Sequence, residues 1–178
     1  KSKLKSAKDL AQIYFDTVGG NASLLLNVPP SKNGIIEEKE EKVLKEFKSI
    51  IDKTFENKID YTVSSNTSPD SILSGIKDGS KTAQLVNGDA TLTFKFDKKE
   101  KVKTIVLQED ISKSQRVEAF EIYAKVPGGY KQVYSGTTIG SKKIIRLDFP
   151  YVRNTDEYKI IFTQTRSYPY IKSIQFFS

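Results

Sequence analysis

The chain of 178 residues is long enough for one ordinary domain, or for a small domain and part of another. Its 37% hydrophobic and 29% charged residues are those of a globular rather than a disordered protein. It holds neither Cys nor His, which excludes disulfides, thiolate chemistry, the usual general base and the commonest zinc ligand. Hydrolysis would have to run on carboxylates, Lys or Tyr. The net charge of +7 is dispersed: 11 Lys/Arg face 9 Asp/Glu in residues 1–58, and 18 face 13 in residues 59–178. That pattern suits a solvated Lys-rich surface and argues against a nucleic-acid partner, which wants a concentrated basic stripe. No apolar run approaches the ~20 residues that span a bilayer, so no membrane insertion is expected.

The first 58 residues read as helix, strand, helix. Ser6 stands as an N-cap with Asp9 in the capping-box position, and Leu10, Ile13, Tyr14 and Val18 recur at helical spacing. Gly19-Gly20 ends that helix. Ala22 to Val28 is a short apolar run between the glycine pair and Pro29-Pro30, which predicts a strand buried on both faces. A second helix is predicted from about Ile36 to Phe55. Glu37, Glu38, Glu40 and Glu41 crowd its positive end, and Val43, Leu44, Phe47, Ile50, Ile51 and Phe55 form its apolar stripe.

From residue 59 the period changes. Runs at 90–96, 102–107, 119–126, 130–134, 144–149, 157–163 and 171–177 alternate or are rich in β-branched and aromatic residues. Turn signals part them: Asn87-Gly88-Asp89, Asp97-Lys98-Lys99, Pro127-Gly128-Gly129 and Ile139-Gly140-Ser141. Short strands at this spacing predict an antiparallel β-sandwich over residues 59–178. Tyr123, Tyr130, Tyr134 and Phe149 are expected to serve packing. A lone strand between two helices exposes both hydrogen-bonding edges and builds no core of its own. Residues 1–58 therefore make sense as the last part of a larger α/β domain such as a βα-barrel, which takes about 250 residues.

The segment Gly19-Gly20-Asn21-Ala22-Ser23-Leu24-Leu25-Leu26-Asn27-Val28-Pro29-Pro30, followed by Asn33-Gly34-Ile35-Ile36, resembles the end of the catalytic barrel of bacterial family 29 α-L-fucosidases. Val106 to Ile111, Gln115-Arg116-Val117, Phe120 and Gly136 to Gly140 resemble the β-sandwich attached to the same enzymes. That sandwich has the discoidin (coagulation factor 5/8 type C, galactose-binding-like) fold of many carbohydrate-binding modules. The resemblance implies a mainly β segment, a discoidin-like sandwich after a helix-strand-helix barrel remnant. It also implies a parent that hydrolyses terminal α-L-fucose with retention, at the cell surface or outside the cell. Implied partners are fucosylated glycans or galactose-type sugars, and the upstream barrel.

Retaining glycosidases use two carboxylates about 5–5.5 Å apart, and the family keeps both on barrel elements that precede residue 1. The chain alone is therefore expected to be inactive, with no catalytic residue of its own. The fold often holds a structural calcium, for which Asp78 is the side-chain ligand here; no cofactor is required. Asn27, at the end of the predicted strand, is a pocket-lining candidate. Gln108, Glu109 and Arg116 are candidates for a domain interface or a glycan contact, with an Arg–carboxylate pair bracing the loop as the plainer alternative. Arg166 and Tyr168, in the loop from Gln164 to Tyr170, combine a donor fork with an aromatic ring and are glycan-binding candidates. Two other readings stay open: a stand-alone carbohydrate-binding module, and a brace for the barrel.

Overall fold

The computed structural model describes residues 4–86, 90–148 and 150–178; the expected Asn87-Gly88-Asp89 turn and Phe149 lie outside them. In chain order the elements are α1 (Ala7–Thr17), α2 (Glu38–Thr54), β1 (Lys58–Ile59), β2 (Thr62–Ser65), α3 (Asp70–Leu73), β3 (Ala83–Gln84), β4 (Ala90–Lys101) and β5 (Thr104–Glu109). A 3₁₀ turn (Ile111–Lys113) precedes β6 (Val117–Val126), β7 (Gly129–Gly136), β8 (Lys143–Arg146), β9 (Asn154–Thr165) and β10 (Tyr170–Phe177).

The capping box closes the start of α1. Ser6 Oγ accepts from the Asp9 N–H at 3.2 Å, and the Asp9 carboxylate accepts from the Ser6 N–H at 3.1 Å. Its inward face is Ala7, Leu10, Ala11 and Phe15. The strands form two antiparallel sheets, one ordered β1-β10-β5-β8 with β3 also on β10, the other β2-β4-β9-β6-β7. The protein is thus mainly β, a sandwich preceded by helices.

Between the sheets lies a core of Ile, Leu, Val and Ala side chains with a cluster of Phe and Tyr among them. Phe176 stands 5.0 Å from Phe94, 5.3 Å from Phe96 and 5.6 Å from Tyr158, centroid to centroid. Such offset and tilted contacts suit the ring quadrupoles, and the Tyr61 hydroxyl donates to the Ile174 carbonyl at 2.7 Å. A second cluster joins Ala11 and Phe15 of α1 to Val106, Ile144 and Phe177, with Phe47, Ile50 and Ile51 of α2 and Phe55 at its C-cap packed against it. The helices therefore cover the outer face of the first sheet. This explains why Thr104 to Leu107 is buried without alternation, as in a strand covered on both sides.

Several expectations are corrected. Ala22–Val28 forms no strand and is not buried: Leu25 is 94% exposed and Leu26 37%. A strand needs a ladder, and among the described residues nothing pairs with this segment. Asp97-Lys98-Lys99 is no turn but lies inside β4, where the register slips between Lys95, opposite Glu157, and Glu100, opposite Thr155. Tyr123 and Tyr130 point away from the core. Tyr123 donates to Glu121 at 2.6 Å, and Tyr130 donates to Glu157. Pro127-Gly128 does turn the chain, with Gly128 at φ +87 as a Pro-Gly type II turn requires. No helix among the described residues is long and apolar enough to cross a membrane.

Candidate functional site

Four of the candidate residues lie toward one end of the sandwich, though their side chains do not bond to one another. Gln108 and Glu109 end β5, Arg116 opens β6, and Arg166 follows β9. Glu109 is 2% exposed. One carboxylate oxygen accepts the N–H groups of Arg116 at 2.9 Å and Val117 at 3.0 Å; the other accepts that of Gly140 at 2.8 Å. A buried carboxylate needs such donors to offset its lost hydration. Facing inward, it meets no sugar.

The expected Glu109–Arg116 side-chain pair does not form. The Arg116 guanidinium instead donates to the carbonyls of Lys113 and Tyr168, both at 3.0 Å, and stacks over the Tyr170 ring at 4.9 Å. It braces the 164–170 loop through backbone acceptors, which sequence does not advertise. Gln108 is likewise engaged, donating to the Ser141 carbonyl at 3.0 Å and accepting the Ser173 hydroxyl at 2.8 Å.

Arg166 pairs with Glu118 through Nε at 2.8 Å and a terminal nitrogen at 2.7 Å, both on one carboxylate oxygen. Tyr168 leaves half its surface to solvent. Asp110 caps the 3₁₀ turn; the Ser112 hydroxyl, the Ser112 N–H and the Thr82 hydroxyl hold its carboxyl below the usual range, against the opposing effect of desolvation. This end of the molecule can present a ring and an ion pair.

Asn27 lies elsewhere, exposed in a groove of about 390 Å³ with Leu4, Leu10, Leu26, Val43 and Leu44. Asp78 accepts the Ser80 N–H at 2.9 Å, and the Ser80 hydrogen bonds, with the nearby Lys58 ammonium, hold its carboxyl low. Lys58 itself donates to the Lys77 carbonyl at 2.9 Å. Calcium takes six to eight oxygens. Among the described residues no three acidic side chains gather to hold an ion, so carbonyl oxygens would have to supply most of that set beside Asp78.

One feature had no signal in the sequence. A cleft of about 470 Å³ on the sandwich's flank is lined by Gln132, Tyr134, Ser135, Arg146, Asp148 and Tyr151. Gln132, Tyr134 and Ser135 belong to β7 at the edge of one sheet, Arg146 to β8 at the edge of the other, and Asp148 and Tyr151 to the segment after β8; only the folded topology brings them together.

The GGN segment contacts the sandwich. The Ile144 N–H donates to the Gly19 carbonyl at 3.1 Å, Gly20 bridges to Lys143, and Asn21 accepts from Ser141. In this setting the comparisons with known proteins fall into place. Residues 1–54 match the family model described as Alpha-L-fucosidase. The chain is 28% identical over 180 residues to Alpha-L-fucosidase 1 of Arabidopsis thaliana, covering 94% of this chain and 35% of that protein. The likeness is to alpha-L-fucosidases. A crystal structure of a candidate alpha-L-fucosidase from Bacteroides ovatus superposes with a TM-score of 0.79 at 35% identity, over 98% of this chain and 27% of that one. The chain spans about a third of the length of the curated relatives it matches. The carbohydrate-binding module (CBM32) of AlyQ, solved with 4,5-unsaturated mannuronic acid, matches with a TM-score of 0.56 at 15% identity. It covers 67% of this chain and 97% of that module, and the likeness is one of fold.

Proposed function

We propose that this chain is the closing, ancillary part of an exo-acting α-L-fucosidase. The parent would release terminal α-L-fucose from glycans with retention, through a covalent glycosyl-enzyme intermediate. Its two carboxylates would stand on barrel elements outside these 178 residues, and residues 1–58 would complete that barrel. The observation that carries this reading is the bare apolar segment from Leu24 to Val28. Leu25 and Leu26 face solvent and its backbone has no ladder partner among the described residues, an arrangement that pays off only against a neighbouring strand. Likeness to fucosidases across both the helical and the sandwich parts supports it. The chemistry supports it too: Glu109 is occupied by backbone donors, and Glu37, Glu38 and Glu41 lie exposed at a helix start.

In this reading the sandwich braces the barrel through the 19–21 contact and the Phe15–Phe177 cluster. Deleting residues 59–178 from the longer protein should lower its thermal stability sharply while leaving its carboxylates in place. Unchanged stability would count against the brace. The fold's likeness to a carbohydrate-binding module favours a second role, holding glycan near the active site.

A further inference from the structure

At the Arg116 end of the sandwich the polar side chains bond to the protein itself. The flank cleft is the opposite case. It lies between β7, the edge of the second sheet, and the segment that leaves β8, the edge of the first. The side chains of Gln132, Asp148 and Tyr151 are exposed and hold no hydrogen bond or ion pair among the described residues. The outer edge of β7 has no strand partner there either, so its backbone groups add donors and acceptors.

Two walls of the cleft are already fixed. Tyr134 is half-buried and packs 5.8 Å from Phe120. Gly136 makes room for these rings, since a Cβ there would come within 2.8 Å of Tyr134 and 2.9 Å of Phe120. Arg146 lies over the Phe15 ring at 4.6 Å, which aligns its guanidinium and leaves its donors free. Tyr151 stands at the mouth, 47% exposed, on a turn closed by its N–H donating to the Asp148 carbonyl at 2.7 Å.

A flat ring, a carboxylate and an amide that hold no hydrogen bond among the described residues line one cleft with a guanidinium stacked on Phe15, and together they match the needs of one ligand class. A pyranose has an apolar face to stack on a tyrosine and a rim of hydroxyls that both donate and accept. The cleft is within the usual size range for small-molecule sites. Its single Asp and single Arg balance, which favours a neutral ligand over a phosphate or a polyanion. We propose that the flank cleft is a non-catalytic glycan subsite for one neutral pyranose unit. Its apolar face lies on Tyr151, and its hydroxyls donate to Asp148 and accept from Arg146. The subsite is distinct from the Arg166–Tyr168 loop and independent of whether the parent hydrolyses fucosides.

The test is titration of the isotope-labelled chain with L-fucose, D-galactose and lactose, followed amide by amide by NMR. At least one probe should give saturable, millimolar shifts centred on Gln132–Ser135 and on Arg146–Tyr151. Asp148→Asn and Tyr151→Ala should each weaken that binding by about tenfold or more and leave distant amides in place, whereas Tyr168→Ala should not affect it. Shifts centred on 164–170, no saturable shift with any probe, or full binding by both cleft variants would each overturn the proposal. None of these outcomes depends on fucoside hydrolysis, so the subsite and the fucosidase reading fail separately.

Discussion

Asn21 Oδ1 accepts two hydrogen bonds from Ser141, one from its N–H at 2.7 Å and one from its hydroxyl at 2.6 Å. Asn21 adopts φ 72 and Gly140 φ +64, and a Cβ on Gly140 would come within 2.2 Å of the Asn21 amide. Gly140→Ala therefore combines left-handed strain with a clash and should cost about 1–3 kcal/mol. Asn21→Ala should cost about 1 kcal/mol for its lost bonds. Removing the Asn21 amide also removes the clash, so the double variant should be less destabilised than the sum of the two. Thermal unfolding of the three variants checks this; strict additivity would mean that the two residues do not meet.

Glu109 gathers three backbone N–H groups from two loops. Glu109→Gln keeps the shape but turns a donor toward a donor, leaving at least one N–H unmatched at a cost of about 1–3 kcal/mol. For a chain of this size that lowers Tm by about 2–4 °C per kcal/mol. Hydrogen exchange should accelerate at Arg116, Val117 or Gly140. Unchanged exchange at all three would contradict the arrangement.

Acid should loosen the sandwich through Glu157. Burial pushes this carboxyl up, but hydrogen bonds from Tyr130 and Lys125, with Lys125 and Lys95 nearby, outweigh it and hold it below its ordinary 4.5. A carboxyl depressed on folding contributes stability that is fully present above the unfolded value and is lost as pH falls through the folded one. Stability should therefore decline below pH ~4.5, with Asp78 and Asp110 acting in the same sense. Glu157→Gln should flatten the acid limb of an unfolding-versus-pH curve. An unaltered limb would show that Glu157 does not contribute.

The bare leucines give a sharper contrast. Leu25→Ser should leave the 178-residue chain within about 0.5 kcal/mol of the parent chain's stability, as expected of a surface site. In the longer protein that we propose, the same change should destabilise by several times that amount, because Leu25 would lie against the rest of the barrel. Equal effects in both contexts would argue that the segment has no neighbour to meet.

Much of the fold was legible because local chemistry declares it. Ser6 and Asp9 mark the start of α1, Gly128 marks the β6–β7 turn, and the alternation of Phe94, Phe96, Ile122 and Ala124 marks the core face. Pairing between distant residues was not legible. Ala22–Val28 has the composition of a strand, but composition supplies no ladder. Asp97-Lys98-Lys99 has turn chemistry, yet β9 carries it as an irregularity within β4. Among the candidate side chains, sequence named Gln108, Glu109 and Arg116 as polar residues in one region. It did not show that Glu109 and Arg116 bond to main-chain groups, because a backbone partner leaves no mark in residue identity. The flank cleft leaves no mark either, because its lining comes from β7, β8 and the segment after β8, which are brought together only by the fold.

The most direct test of the account is fucose release from an aryl α-L-fucoside by the purified chain and by the longer protein. The account predicts release by the longer protein and none above background by these 178 residues, whatever the pH. Release by the chain alone would contradict it, since the chemistry would then reside in residues assigned here to bracing and binding.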